Sequence, residues 1–254
     1  MGDDIELAAT LVRDAGLLAA AMRRTGLETE RKTSVSDVVS AADRAAEDLI
    51  VDRLREARPG DGVVGEEGTN SPAARTWFVD PVDGTYNFLS GMSFWCSALA
   101  LVDVAAGDAP LLGAVFHPES DELWLGGRAD PTTCNGTPVR PLVDRRLRDV
   151  SVASYLHPTR LHDDGVRVPL LRVLRKAATV RMLGSGSIEL ASVAGGRLGA
   201  WVQCDTLDWD WLPGVALVNA AGGATRLVHA RGHRWHIAGS HQVVDEISEL
   251  IETG

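Results

Sequence analysis

Apolar residues recur every three to four positions through IELAATLVRDAGLLAAAMRR, residues 5–24, and arginines close the run. That period predicts an amphipathic helix. A second such pattern covers 40–57. Ala42, Ala46, Leu49, Ile50 and Leu54 fall on one face, Ser40 stands where an N-cap belongs, and ARPGDG from Ala57 breaks the helix. From Thr76 the pattern becomes short apolar runs bounded by turn residues. TWFVDPVDG, CSALALVDV, GAVFHP and ELWLGG read as successive strands. RADPTTCNGTPVRP, 128–141, is rich in Pro, Thr and Gly and reads as a hinge between lobes. Beyond it come a strand (DVSVASYL), a polar loop, a basic helix near 169–177 and a strand (TVRMLG). A glycine-stopped helix (SIELASVAGGRL), a strand (AWVQC) and a helix (WLPGVALVNAAGG) follow. Two helices ahead of strand-rich sequence predict an α+β lobe over 1–140. Alternating strands and helices predict an α/β lobe over 141–254, the two sharing one core.

Composition narrows the class. The chain has 254 residues, 45% hydrophobic and 24% charged, which fits a globular protein and excludes collagen, coiled coil and disorder. No apolar run is long enough to span a bilayer. MGDDIELAATLV places acid where a signal peptide carries base, so a cytoplasmic protein is expected. Cys96, Cys134 and Cys204 are an odd, scattered set without CxxC, which argues against a disulfide framework or a zinc site and for buried free thiols. The formal net charge of −10 repels phosphate backbones, so neither nucleic acid nor a membrane is an expected partner.

The candidate chemistry begins at Asp80-Pro81-Val82-Asp83-Gly84-Thr85. This turn directly follows an apolar strand, and proline stiffens it. Two aspartates with a carbonyl between them offer several oxygens to one small volume, the donor set a hard cation such as Mg²⁺ takes. Gly84 and Thr85 follow where a helix could start, and bare backbone amides at such a start bind phosphate oxygens. Carboxylates beside an anion site imply bridging cations. Taken alone, the turn also reads as solvated acids. Its companions are Glu66, in Gly65-Glu66-Glu67-Gly68, and Asp210, in Trp209-Asp210 at a helix start. Each of these also has a bland reading, as an exposed turn acid and as a first-turn helix acid.

GEEG, WFVDPVDGTYNF and WDWLPGVALVNAAGG together resemble the three signature motifs of the inositol monophosphatase family, in the right order over roughly residues 30–240. The resemblance implies a layered αβαβα sandwich of the sugar phosphatase type and a Mg²⁺-dependent hydrolase of phosphomonoesters. It implies two or three Mg²⁺ per site: Glu66, Asp80 and the Val82 carbonyl for one, Asp80, Asp83 and Asp210 for another. Gly84 and Thr85 match the phosphate-binding backbone. KTSVSDVVSAAD resembles the family's lysine-to-aspartate stretch, with Lys32, Asp37, Ser40 and Asp43. Its last aspartate, Asp43, would pair with Thr85 to orient the attacking water. Without the family, Ser40 with Asp43 reads as a capping box. A homodimer acting on a small phosphorylated metabolite is also implied.

Substrate choice lies outside the motifs. Gly184-Ser185-Gly186-Ser187 matches the small-residue loop that approaches the sugar or cyclitol, which assigns Ser185 and Gly186 to substrate, along with Asp210. Gln203 stands where inositol phosphatases usually carry a glutamate, and Asp205 could supply the missing carboxylate. Inositol 1-phosphate is the expected substrate. Histidinol phosphate is the alternative that Gln203 and Asp205 suggest; 3'-phosphoadenosine 5'-phosphate, fructose 1,6-bisphosphate and a purely regulatory binding role are the others. Trp95, Trp209 and Trp211 flank the motifs and read as core or as a wall for the leaving group. His117, His157, His162 and His236 lack ligand spacing and read as structural.

Overall fold

The computed structural model of the protein describes residues 2–26, 29–31, 38–107 and 109–253. Helix α1 (Gly2–Thr25) has Asp3 and Asp4 in its first turn and Arg23 and Arg24 in its last, the polarity the helix dipole favours. A short antiparallel pair, β1 (Thr29–Arg31) with β2 (Val38–Ser40), leads into α2 (Ala41–Ala57). Lys32 and Asp37 lie outside the described residues, as does the Ser40 side chain. There follow β3 (Gly62–Gly65), β4 (Asn70–Ser71), β5 (Arg75–Asp83), α3 (Thr85–Leu89), β6 (Cys96–Asp103), β7 (Leu112–His117) and β8 (Glu122–Gly127). With β9 (Thr133–Cys134) and β10 (Thr137–Pro138) they build an eight-stranded sheet of order β10-β9-β8-β7-β6-β5-β3-β4. Its pairs are antiparallel except β3 with β5.

The second sheet has five strands in the order β12-β11-β13-β15-β14. This part of the chain runs β11 (Ser151–Ala153), α4 (Asp164–Leu174), β12 (Thr179–Arg181), α5 (Gly186–Ala194), β13 (Ala200–Cys204), α6 (Asp208–Ala220), β14 (Ala224–Ala230), β15 (His233–Gly239) and α7 (His241–Glu252). Strands β12, β11 and β13 are parallel, while β15 runs antiparallel to both its neighbours.

Burial explains the layering. Along β6, Leu99 and Leu101 face α1 and α2, packing with Leu11, Ile50 and Trp77, while Cys96 and Ala98 face Leu190, Trp211 and Leu217 of α5 and α6. A strand covered on both faces reads as a continuous apolar run, as CSALALV does. On the far side, Trp235 and Ile237 of β15 pack against Val166 and Leu170 of α4 and Val244 and Ile247 of α7. The stack is therefore helices, sheet, helices, sheet, helices: the αβαβα sandwich.

Several expectations shift. Segment 128–141 is not merely a hinge. Asn135 and Gly136, with φ of 49° and 74°, form a tight hairpin turn that lays β9 and β10 onto the edge of the first sheet. The basic helix begins earlier than expected, at Asp164, because the Asp163 side chain caps it by accepting from the Gly165 amide. The second sheet is mixed, and β14, β15 and α7 were not anticipated. Of the three cysteines, all free, only Cys96 is buried.

Candidate active site

Strand β5 carries Asp80 through Asp83 to its C-terminal end, and its pairing with β6 slips between those two residues. That irregularity turns both carboxylates into the space in front of α6, whose first turn holds Asp210. Oxygens of Asp80, Asp83 and Asp210 lie within 4.8 Å of one another. Three carboxylates this close repel. Burial, then the charges of Glu66, Asp83 and Asp210, pushes Asp80 well above the ordinary carboxylate range. Burial, then Asp83, pushes Asp210 up to about 7. Burial also raises Asp83, against donors from the 185–187 loop. The Ser187 amide donates to Asp83 Oδ2 at 2.5 Å. Asp80 Oδ1 is buried with no hydrogen-bond partner. A divalent cation resolves both anomalies, supplying the missing partner and the missing positive charge. The donor set is all oxygen, which suits a hard cation.

Glu66 follows β3, the parallel neighbour of β5, and its amide donates to the Val79 carbonyl at 3.2 Å. It lies outside the tight trio but close enough for its charge to raise Asp80. The Val82 side chain is buried, and its carbonyl accepts from the Thr85 hydroxyl at 3.1 Å. The same hydroxyl lies 3.2 Å from Asp43 Oδ1, so the Asp43–Thr85 pair exists as a contact. Asp43 is fully buried in the first turn of α2. Gly84 opens α3 at φ 92°, and a Cβ there would meet the Gly184 and Phe94 carbonyls at 3.0 and 3.1 Å. Only glycine suits that crossing.

In front of the carboxylates lies a cavity of about 750 Å³. Among the described residues, Asp83, Asp210, Gly184, Ser185, Gly186 and Gln203 border it. Asp205 does not. At the end of β13 it takes φ 51° and turns away to His233 Nδ1 at 2.7 Å, the Arg234 amide at 3.0 Å and Arg160 at 3.2 Å. Its carboxylate is therefore committed elsewhere. Trp95 and Trp211 are core, the first of the two readings given for them. The aromatic residues that line the cavity are Tyr86, Tyr155 and Trp201, the last fully buried. His157, read as structural, also borders it.

Three supporting residues were missed. Asn87 of α3 donates to the carbonyls of Phe94 at 2.8 Å and Leu183 at 2.7 Å, tying α3 to the 183–187 loop. Buried Glu189 accepts from the Leu183 amide at 2.8 Å and Trp201 Nε1 at 2.9 Å, and burial pushes it up to about 8. Buried Glu47 accepts from the amides of Glu67 and Thr69. For Asn87 the only available signal was its place in DGTYNF; for the two glutamates it was acid on a buried helical face.

The sequence profile of the inositol monophosphatase family matches residues 3–250. An inositol-1-monophosphatase of Rhizobium meliloti is 32% identical over 226 residues, 85% of this chain and 84% of that protein. A protein of Xylella fastidiosa named Nus factor SuhB is 33% identical over 191 residues, 74% of this chain and 68% of that one. The crystal structure of the extragenic suppressor protein suhB from Bartonella henselae superposes with a TM-score of 0.89 at 26% identity, covering 99% of each chain.

Proposed function

The chain belongs to the inositol monophosphatase family and is a phosphoric monoester hydrolase, and we propose that it is the Mg²⁺-dependent kind that hydrolyses a small polyol phosphate, inositol 1-phosphate first. The observation that carries this reading is the carboxylate trio, with Asp80 and Asp83 buried and one oxygen of Asp80 unpartnered, next to the Asp43–Thr85 pair. Glu66, Asp80 and the Val82 carbonyl would hold one Mg²⁺ and Asp80, Asp83 and Asp210 a second; Glu66 is the residue nearest any third. Mg²⁺ bound there acidifies the attacking water and offsets charge on the ester and its leaving oxygen.

The chain's own residues do the rest. The backbone amides of Gly84 and Thr85 hold phosphate oxygens. Thr85 Oγ1, donating to Asp43, is left with a lone pair to accept from the attacking water and aim it in line at phosphorus. Asp43, a buried carboxylate, receives the proton through that hydroxyl. Positioning and electrostatics thus account for the catalysis, with no covalent enzyme intermediate. Ser185, Gly186 and Gln203 line the leaving group's side, and both lobes, 1–140 and 141–254, contribute to the site. A homodimer in the cytoplasm is the working unit proposed, and light scattering tests its size.

A neutral polyol fits this cavity better than an ammonium. Among the described residues lining it, the carboxylates are Asp83, Asp210 and Glu189. The first two face the proposed cations, and Glu189, pushed up to about 8, is mostly neutral at pH 7. Gln203 accepts from a hydroxyl without needing charge. A panel of inositol 1-phosphate, histidinol phosphate, 3'-phosphoadenosine 5'-phosphate and fructose 1,6-bisphosphate at saturating Mg²⁺ tests this. The highest kcat/KM is expected on inositol 1-phosphate; a higher value on histidinol phosphate rejects the substrate assignment. The likeness to the Xylella protein named Nus factor supports a second reading, regulation by binding. Phosphate release by the purified chain alone is expected and argues against that as its sole role.

A further inference from the structure

Helix α2 places two buried carboxylates one turn apart on the same face, Asp43 and Glu47. Asp43 meets Thr85 in the turn that follows β5. Glu47 meets the turn that follows β3: its Oε2 accepts from the Glu67 amide at 2.7 Å and its Oε1 from the Thr69 amide at 3.1 Å. Those amides flank the turn right after Glu66, which leaves no slack between the Glu47 carboxylate and the Glu66 backbone. The fit is close from the other side as well, since a Cβ at Gly65 would collide with the Glu47 carboxyl group. Strands β3 and β5 are parallel neighbours in register, Gly65 beside Val79. The loop bearing Glu66 and the loop bearing Asp80, Val82 and Asp83 therefore leave the same end of the sheet side by side, and both hydrogen-bond to one helix face.

We infer that Glu47 is a positioning residue for the cation site: by bridging the 67 and 69 amides it holds Glu66 at the separation from Asp80 that the cation requires. The inference rests on the proposed role of Glu66 as a cation ligand. Partners that orient a ligand from behind typically change metal affinity tenfold or more when removed. Glu47→Gln keeps length and volume, yet its amide has one acceptor oxygen and sets an NH₂ against the second backbone N–H. The clamp is broken without opening a cavity.

The test is titration of the metal-free full-length chain with Mn²⁺, read by electron paramagnetic resonance, for wild type, Glu47→Gln, Glu66→Gln and Asp48→Asn, an exposed neighbour on α2. Glu47→Gln is expected to weaken Mn²⁺ binding about tenfold or more. Its kcat at saturating Mg²⁺ is expected to stay near the wild-type value, and Asp48→Asn to bind as wild type does. Wild-type affinity in Glu47→Gln alongside weakened binding in Glu66→Gln overturns the role of Glu47, as does a lower melting temperature at unchanged affinity. Unchanged affinity in Glu66→Gln overturns the ligand role on which the inference rests. Should Glu47→Gln not fold, Gly65→Ala pushes on the same clamp with the charge kept; weakened binding is expected, and wild-type affinity there also overturns the proposal.

Discussion

Asp43 and Thr85, one in the first turn of α2 and one at the start of α3, meet at 3.2 Å where that helix meets the C-terminal end of β5. The same hydroxyl reaches the Val82 carbonyl at 3.1 Å. One threonine proton thus has two acceptors. If the pair acts on the attacking water, Asp43→Asn should lower kcat by about 10²- to 10⁴-fold, the usual worth of a positioned base. KM and Mg²⁺ affinity should change little, because neither the cation trio nor the cavity wall is touched. Steady-state kinetics with a direct metal titration check this; an unchanged kcat sinks the assignment.

The trio makes a prediction about stability. Asp80, Asp83 and Asp210 are all raised, with burial the first cause in each case; next come the charges of Glu66, Asp83 and Asp210 for Asp80, and that of Asp83 for Asp210. Without cation, removing one charge should relieve the strain. Asp80→Asn should therefore melt higher than wild type in EDTA at pH 8. With Mg²⁺ the order should reverse, because a ligand at 100 times its Kd adds about 2.7 kcal/mol to the wild type alone. Thermal melts of both proteins, with and without Mg²⁺, decide it. A wild type that does not respond to Mg²⁺ contradicts the reading.

Glu189 sets a pH dependence of its own. Burial holds its folded-state pKa near 8, above the ordinary value of 4.5. Between those two values the folded chain binds a proton that the unfolded chain does not. This contribution is full below the ordinary value and is lost as pH rises through about 8. Its slope approaches about 1.4 kcal/mol per pH unit within that window. Glu189→Gln should remove that part of the decline, at a uniform cost of about 1–3 kcal/mol from facing an NH₂ toward Trp201 Nε1. Urea melts from pH 5 to 8 in Mg²⁺ would show the wild-type curve falling through the flatter Glu189→Gln curve and ending below it; parallel curves would refute the raised value.

The motif residues were legible because their chemistry is local. In Asp80-Pro81-Val82-Asp83-Gly84-Thr85, the strand, the rigid turn and the left-handed glycine are all written within a few positions. Apolar spacing likewise placed α1, α2 and four of the eight strands of the first sheet. Glu47, Asn87 and Glu189 were not legible, since spacing along a helix tells which face is buried but not which backbone group of a neighbouring loop that face will meet. Asp205 was misread for a backbone reason: two positions past Gln203 implies the same strand face, yet its positive φ ends the strand and swings the carboxylate to His233 and Arg160. His157 and Tyr155 come from a polar loop after β11, and nothing in their spacing pointed at the cavity.

The central claim is that Asp83, with Asp80 and Asp210, holds the cation on which ester hydrolysis depends. Phosphate release from inositol 1-phosphate by wild type and Asp83→Asn, each in saturating Mg²⁺, tests it most directly, with circular dichroism confirming that both are folded. The account predicts turnover in the wild type, abolished by EDTA and restored by Mg²⁺, and none above background in the folded variant. Full activity in Asp83→Asn, or wild-type turnover indifferent to EDTA, would contradict it.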